Sequence, residues 1–318
     1  MGNIRIFRFA SAFPGALVHE RVTKSEEQEA VVANMELAIS LAQPAALARI
    51  GSGPEAREAY WRERHGDPYL AAWLARFTPT HFYQGSEFCE HLLPSPHALK
   101  TGLQRARECR MRFCLLTPVA SPQVIRNLAL LLPLLPADAE VVANDWGVVR
   151  FIRENHPSLR TIAGRILCRM IKDPRLPGRD WAMHCGFDFA PLRTLFELCG
   201  LRHMEIDTPL FADTEAFAAL PLRKSVHLPY FYVAKGRMCR IGALAQSGPE
   251  RFAVGRKCKK ECLTLSARIE RAERDDQWCS WQIGNTMFGR YSQEMLEAVI
   301  AAVDKGYVDR LVMAGDAA

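Results

Sequence analysis

The stretch AEVVANDWGVVRFIRENHPSLRTIAGRIL (Ala139 to Leu167) spells out one complete strand–helix–strand unit. Glu140 to Ala143 is a short run of β-formers. Asn144, Asp145 and Gly147 have turn and cap chemistry, Val148 to Asn155 repeats apolar side chains at helical spacing, and Thr161 to Leu167 returns to apolar β-formers. Two strands joined by a helical crossover lie parallel, because a tight hairpin cannot connect parallel strands. This unit therefore predicts a parallel sheet with helices packed on it.

Working outward, the same alternation recurs. Strands are predicted at Thr80 to Gln84, Arg112 to Thr117, His203 to Asp207, Ser225 to Tyr232, Cys279 to Ile283 and Arg310 to Ala314. Helices are predicted at Ala98 to Cys109, Gln123 to Leu132, Pro191 to Cys199, Thr214 to Leu220 and Gln293 to Lys305. Together with the two strands of the central unit this gives eight strands. Eight strands with helical connections predict an α/β fold of the TIM-barrel-like (β/α) class, with an open doubly wound sheet as the alternative. Residues 1–79 form an N-terminal segment in which Met35 to Leu41 reads as a strand, and Glu55 to Arg64 and Tyr69 to Arg76 as helices. Residues 80–318 form the barrel proper. In a barrel the loops after the strand C-termini carry the chemistry.

With 318 residues, 49% of them hydrophobic and 24% charged, the chain can bury a core without covalent staples, which excludes a disulfide miniprotein and a low-complexity disordered chain. The longest apolar run, Leu128 to Leu135, contains Pro133 and falls short of the roughly 18 residues of a membrane span. Arg5 and Arg8 interrupt the apolar patch near the N-terminus, so no signal-peptide core is expected. The formal charge of +6 is mild and its acidic residues are interspersed, which argues against a nucleic-acid surface. Ten cysteines remain to be explained. Cys109, Cys114, Cys168 and Cys199 lie in apolar segments, as reduced buried thiols would, and a cytoplasmic location is expected.

Residues 233–278 break the alternation. This cysteine-rich loop insert contains GRMC and KCKKEC, with Cys258 and Cys262 as a C-x3-C pair and Cys239 lying 19 residues before Cys258. Two cysteines four apart can turn both sulfurs to a common centre, and thiolate-rich sites hold zinc or iron–sulfur clusters with four protein ligands. Cys89, in the loop after the strand Thr80 to Gln84, is the best fourth ligand. Cys279, between Trp278 and Trp281, is the competitor, although a buried thiol is the simpler reading there. Arg237, Arg240, Arg256, Lys257, Lys259 and Lys260 surround the loop cysteines and are expected to favour thiolates. These residues leave zinc and a cluster both open.

Other residues are weaker candidates. Asn144 and Asp145 stand at the catalytic face of a barrel and could contact substrate, although helix capping is the simpler reading. Asn285, in the IGNT turn, is a further polar candidate. His184 and Cys185 are adjacent, so on a strand they point apart. Ser86, His91, Ser95 and His97 occur without a GxSxG elbow or an HExxH helix, so proteolysis is not expected.

Four segments in order carry a family resemblance. HFYQGSEFCEHLLPS (His81 to Ser95), Ala139 to Leu167, the GRMC and KCKKEC pair, and WQIGNTMFGRYS followed by a helix and VDRLVMAG resemble successive units of the peptidase U32 family. The likeness runs from about Thr80 to the C-terminus and is strongest to the members that act in ubiquinone biosynthesis. The N-terminal segment is longer than the family's pattern, and the gap between Cys239 and Cys258 is wider. The resemblance implies a TIM-barrel-like fold and a [4Fe–4S] cluster on Cys89, Cys239, Cys258 and Cys262. It further implies oxygen-independent hydroxylation of a small aromatic ubiquinone precursor and a heterodimer with a homologous subunit. Two alternatives stay open: an RNA hydroxylation factor of the same family, supported by the basic insert, and a non-catalytic scaffold stabilised by zinc or a cluster.

Overall fold

The computed structural model describes residues 4–7, 34–168, 190–208, 214–218, 222–236, 238–244, 246–248, 258–269 and 280–314. Its centre is a closed barrel of eight parallel strands. In chain order the strands of the barrel and of a second sheet are β1 (Ile4–Phe7), β2 (Glu36–Ser40), β3 (Pro79–Gly85), β4 (Arg112–Leu116), β5 (Glu140–Ala143), β6 (Arg160–Ala163), β7 (His203–Ile206), β8 (Arg223–Leu228), β9 (Tyr230–Lys235), β10 (Ser266–Ile269), β11 (Ser280–Ile283), β12 (Thr286–Arg290) and β13 (Arg310–Ala314). The barrel runs β13-β2-β3-β4-β5-β6-β7-β8 and closes through the β13–β8 pair, whose register sets Arg310 against Ser225 and Met313 against Leu228. The other five strands form an antiparallel sheet, β1-β10-β11-β12-β9. Closure removes the edges that an open sheet would expose, and the doubly wound alternative falls with it.

Several of the helices begin on the same local device. In α1 (Pro54–His65), α2 (Pro68–Leu74), α3 (Pro96–Glu108) and α4 (Pro122–Leu131) a proline opens the first turn, where its missing N–H costs nothing. Asp67, Ser95 and Ser121 precede α2, α3 and α4 and accept from the N–H groups of Leu70, Ala98 and Val124. The remaining helices are α5 (Trp146–Asn155), α6 (Ala190–Leu198), the four-residue α7 (Glu215–Ala218) and α8 (Gln293–Asp304). Among the described residues, no helix is long and apolar enough to cross a membrane.

Strand parity divides the interior. Leu37, Ile39, Val141, Ala143, Met204, Ile206, Val226 and Leu228 join the main core between barrel and helices, whereas Ala38, Tyr83, Val142 and Val312 form a separate cluster. Successive side chains point to opposite faces, so the second set faces inward, and with it Glu140, Glu205 and His227. Glu140, Glu205 and His227 are thus among the titratable side chains inside the barrel, and all three are buried.

The structure revises parts of the sequence reading. Cys279 to Ile283 does not supply a barrel strand: β11 belongs to the antiparallel sheet, and the eighth barrel strand is β2, inside the Met35 to Leu41 prediction. Ser225 to Tyr232 is two strands, because Pro229 has no N–H to continue the ladder and the chain leaves the barrel there for the second sheet. Thr161 to Leu167 shortens to β6, since the chain turns at Gly164 and Leu167 N–H bonds back to Gly164 O. The cysteines read as buried filler divide: Cys114 and Cys168 are buried, whereas Cys109, the C-cap of α3, is exposed and Cys199 is half-buried just after α6. His184, Cys185 and Cys279 lie outside the described residues, as do Arg237, Arg256 and Lys257.

Candidate metal and substrate site at the barrel mouth

A cavity of about 140 Å3 opens at the C-terminal end of the barrel. Its wall includes Glu87, Cys89, Arg165, His227, Cys262 and Asn285, drawn from the loops after β3 and β6, from β8, and from the second sheet. The sheet thus stands over the barrel mouth and supplies part of its lining.

The tripeptide after β3 is built so that each side chain has a different anchor. Gly85 has φ 124°, a conformation other residues avoid, and a Cβ there would come within 2.3 Å of Leu116 O. The Ser86 hydroxyl then accepts from the N–H groups of Phe88 and Cys89, at 3.2 and 3.1 Å, and tightens the loop. Glu87 pairs with Arg165: Nε donates to Oε1 at 3.0 Å and the terminal nitrogen to Oε2 at 2.5 Å. Phe88 sits among Tyr232, Phe288 and the Arg165 guanidinium, each 5.4 to 5.5 Å away from its ring. Cys89 follows, half-buried and lining the cavity.

The four cysteines named from sequence come within electrostatic reach of one another. Burial pushes the Cys89 thiol up, and Cys258 and Cys239 push it further; burial likewise raises Cys239, with Cys258 adding to it. Cys262 is pushed up to about 12, first by burial and then by Cys239, Cys89 and Cys258. For Cys89, Cys239 and Cys262 the net shift is upward, against the lowering expected from neighbouring cations, of which Arg237, Arg256 and Lys257 lie outside the described residues. Arg240, Lys259 and Lys260 are exposed, so water screens them, while desolvation and the crowding of four sulfurs act directly. Among the described residues, no three of these sulfurs lie within 4.8 Å of one another.

Backbone N–H groups point at the sulfurs. Gly242 N–H donates to Cys239 Sγ at 3.2 Å and Lys260 N–H to Cys258 Sγ at 3.3 Å. Lys260 takes up φ 59°, a strained value for a side chain of this kind, so this turn is held by its surroundings. Ile241, Ala267, Leu92, Leu244, Leu265 and Ile283 wrap Cys239 and Cys262 in an apolar shell. The β11–β12 hairpin turns on Gly284, at φ 59°, and lies against Cys262: a Cβ on Gly284 would stand 3.5 Å from its sulfur.

The polar residues read as substrate contacts serve as ties. Asn144 is buried, donates to Thr117 O at 3.1 Å and accepts from Ile166 N–H at 3.0 Å, lacing the ends of β4, β5 and β6 together; a substrate contact is corrected to this structural role. Asp145 accepts from Gly147 N–H at 2.7 Å and caps α5. The Asn285 amide donates to Phe88 O at 2.8 Å and to Gly236 O at 3.1 Å, joining the Cys89 loop to the start of the Cys239 loop.

Beside the thiols lies a charged centre that the sequence reading missed. Arg165 also donates to Asp207 Oδ1 at 2.7 Å and, at 3.3 Å, to Tyr230 O, while Asp207 Oδ2 accepts from Tyr232 N–H at 3.3 Å. His227 Nε2 lies 2.9 Å from Glu205 Oε2. Burial pushes Glu205 up to about 7, against the opposing pull of Tyr83, Arg165 and Arg310. The signal was present in the sequence: HMEID and VHL set a carboxylate and an imidazole inside otherwise apolar strands, where they are costly unless used.

No family model matches the chain, and no curated protein matches it. Among solved structures, the Ostrinia furnacalis Group IV chitinase in complex with allosamidin aligns at 9% identity over 87% of this chain and 91% of its own, with a TM-score of 0.31. The Bacillus megaterium QM B1551 spore cortex-lytic enzyme SleL aligns at 8% identity, over 88% of this chain and 70% of its own, with a TM-score of 0.35. The Vibrio vulnificus lysine/ornithine decarboxylase complexed with cadaverine aligns at 7%, over 90% and 89%, with a TM-score of 0.31. Scores this low carry no argument about function.

Proposed function

We propose that Cys89, Cys239, Cys258 and Cys262 hold a [4Fe–4S] cluster, and that the chain acts in oxygen-independent hydroxylation of a small aromatic ubiquinone precursor. In this reading it is a UbiV-like member of the peptidase U32 family and works with a homologous UbiU-like subunit. The observation that carries the cluster is the convergence of these four thiols at the barrel mouth, around a cavity walled by two of them. The ubiquinone assignment rests on the four ordered segments of family resemblance.

The donor set fits the group. Cys89, Cys239 and Cys262, raised by burial and by neighbouring sulfurs, lose their protons most readily to a cation placed among them. A single tetrahedral zinc with bonds of ~2.3 Å would gather its sulfurs to about 3.8 Å, closer than any three of these stand. A cubane takes each thiolate on a different iron and so accepts the wider spacing. N–H groups aimed at Cys239 and Cys258 stabilise the thiolate charge and tune the potential. When bound, the cluster supplies one-electron chemistry or an iron site for an oxygen donor. The chain's own residues shape the cavity, exclude water with Phe88 and Phe288, and hold the two cysteine loops in register through Asn285.

Anaerobic purification with iron and sulfide analysis tests the reading: about four irons and four sulfides per chain are expected, and stoichiometric zinc without iron overturns it. Cys258→Ala then separates roles. Loss of hydroxylated product with the heterodimer intact supports catalysis; loss of the folded complex supports a scaffold. Co-purifying RNA released by salt would move the substrate to the RNA hydroxylation alternative.

A further inference from the structure

We propose that Glu87, Glu205 and His227 form a second metal site, for one divalent first-row cation such as Mn2+ or Fe2+, distinct from the four thiols. The three side chains each place a ligand atom within 4.8 Å of the other two, and all three are buried. They come from the loop after β3 and from the adjacent strands β7 and β8, so the closed barrel fixes their spacing. Parity turns Glu205 and His227 inward, and Glu87 and His227 line the cavity that also exposes Cys89 and Cys262. A cation there would face the substrate space directly.

A second observation points to a missing ligand. Glu205 is fully buried; Oε2 meets His227 and the Tyr83 hydroxyl lies close enough to pull on the carboxyl, yet Oε1 makes no hydrogen bond of ordinary geometry. An ionised carboxylate oxygen left so is expensive, and the arrangement calls for either a proton or a cation. The charge count favours a cation. Arg165 spends its hydrogen bonds on Glu87, Asp207 and the Tyr230 carbonyl and Arg310 spends its own on Glu36, Glu140, Tyr83 and His81, so both guanidinium groups act on Glu205 as charges and neither bonds it. Asp207 stands outside the set: its oxygens serve Arg165 and Tyr232 N–H, and neither joins the other three ligand atoms within 4.8 Å. Glu87 remains eligible, since each carboxylate oxygen has a further lone pair beyond the one facing Arg165. Arg165 then acts as the outer-shell partner that orients it.

Two carboxylates and one imidazole are a hard-to-borderline donor set that suits Mn2+, Fe2+ or Zn2+ and leaves positions for water or a bidentate oxygen ligand. The thiol site offers only sulfur. The two sites therefore select different metals, and this proposal stands or falls independently of the cluster.

The test is a titration of the full-length protein with Mn2+ alone, followed by EPR of the free ion. One saturable Mn2+ per chain is expected. Glu205→Gln and His227→Gln should each weaken it by at least about 100-fold, while Cys239→Ser should leave it unchanged. Co2+ gives a second readout: weak d–d bands without intense sulfur charge-transfer absorption identify oxygen and nitrogen ligation. If a ligand variant fails to fold, the wild type still decides. No saturable Mn2+ uptake at millimolar metal overturns the site, and so does uptake that persists in the folded variants or vanishes in Cys239→Ser. Glu205 would then hold a proton instead.

Discussion

The two ends of the barrel are each organised around one buried arginine, and they use it differently. At the closed end Arg310 donates to Glu36, Glu140, the Tyr83 hydroxyl and His81, at 2.7 Å to the first three and 3.0 Å to the imidazole. His81 and His203, held down to about 4 and about 3 by burial and then by Arg310, stay neutral beside it. At the open end Arg165 is shared between Glu87 and Asp207, and Glu205 is left close by with an unbonded oxygen. The floor is a completed network that holds strands together. The mouth is an unfinished one, with room for a ligand. What distinguishes structural from functional charge here is the state of the last lone pair, since burial is common to both.

The largest effects should come from removing the arginines. Arg310→Met leaves the buried Glu140 without its main partner, while the half-buried Glu36 keeps Arg223 at 3.0 Å, and a loss of about 3–5 kcal/mol in urea unfolding is expected. Arg165→Met should cost less, because Glu87 lines a cavity into which water can enter. Equal losses would break the contrast.

A pH series sharpens it through opposite signs. Burial raises Glu140, but the hydrogen bond and charge of Arg310 override it and hold the group down to about 2. Its contribution is present above about 4.5 and lost as pH falls through 2. Glu205 has the reverse sign: with its folded value near 7, protonation favours the folded state, and that stability is full below about 4.5 and lost as pH rises through 7. Each shift corresponds to about 3 kcal/mol. With metal chelated, Glu205→Gln should flatten the slope of stability between pH 4.5 and 7, and Glu140→Gln the slope below 4.5. A variant that flattens the wrong window would undo the assignment.

The same contrast explains what could be read from the sequence. The barrel was legible because strands such as Leu37 to Ile39 and Val141 to Ala143 are continuously apolar, as strands covered on both faces must be. Ser280-Trp281-Gln282-Ile283 alternates instead, unlike the continuous barrel strands, although its burial runs against hydropathy, with Ser280 and Gln282 buried and Trp281 and Ile283 half-buried. The four thiols stand out in the sequence because they lie in polar, charged stretches, although Cys239 and Cys262 pack in an apolar shell once folded. Asn144 and Asp145 are chemically apt for substrate contact, yet their hydrogen bonds go to the backbone, a matter of local geometry that composition does not encode. Glu87, Arg165, Asp207, Glu205 and His227 were missed because their meaning depends on long-range proximity: Glu87 and Arg165 are 78 positions apart.

Smaller effects belong to the loops that carry the mouth. Gly85→Ala places a Cβ against Leu116 O at an unfavourable φ, so a loss of about 1–3 kcal/mol and displacement of the Glu87 to Cys89 segment are expected.

Asn285→Ala removes two hydrogen bonds to backbone carbonyls, a loss of about 1–2 kcal/mol by unfolding. Its more telling readout is iron. The amide ties Phe88, beside Cys89, to Gly236, at the start of the loop holding Cys239, so its loss frees one cysteine loop from the other while every thiol remains. Iron content after anaerobic desalting should fall in Asn285→Ala and be regained in Asn285→Gln if the longer amide reaches either carbonyl. Unchanged iron in the alanine variant would mean that the thiols are positioned by the sheet alone. The mouth would then be as self-sufficient as the floor, and the contrast between the two ends would reduce to the carboxylates.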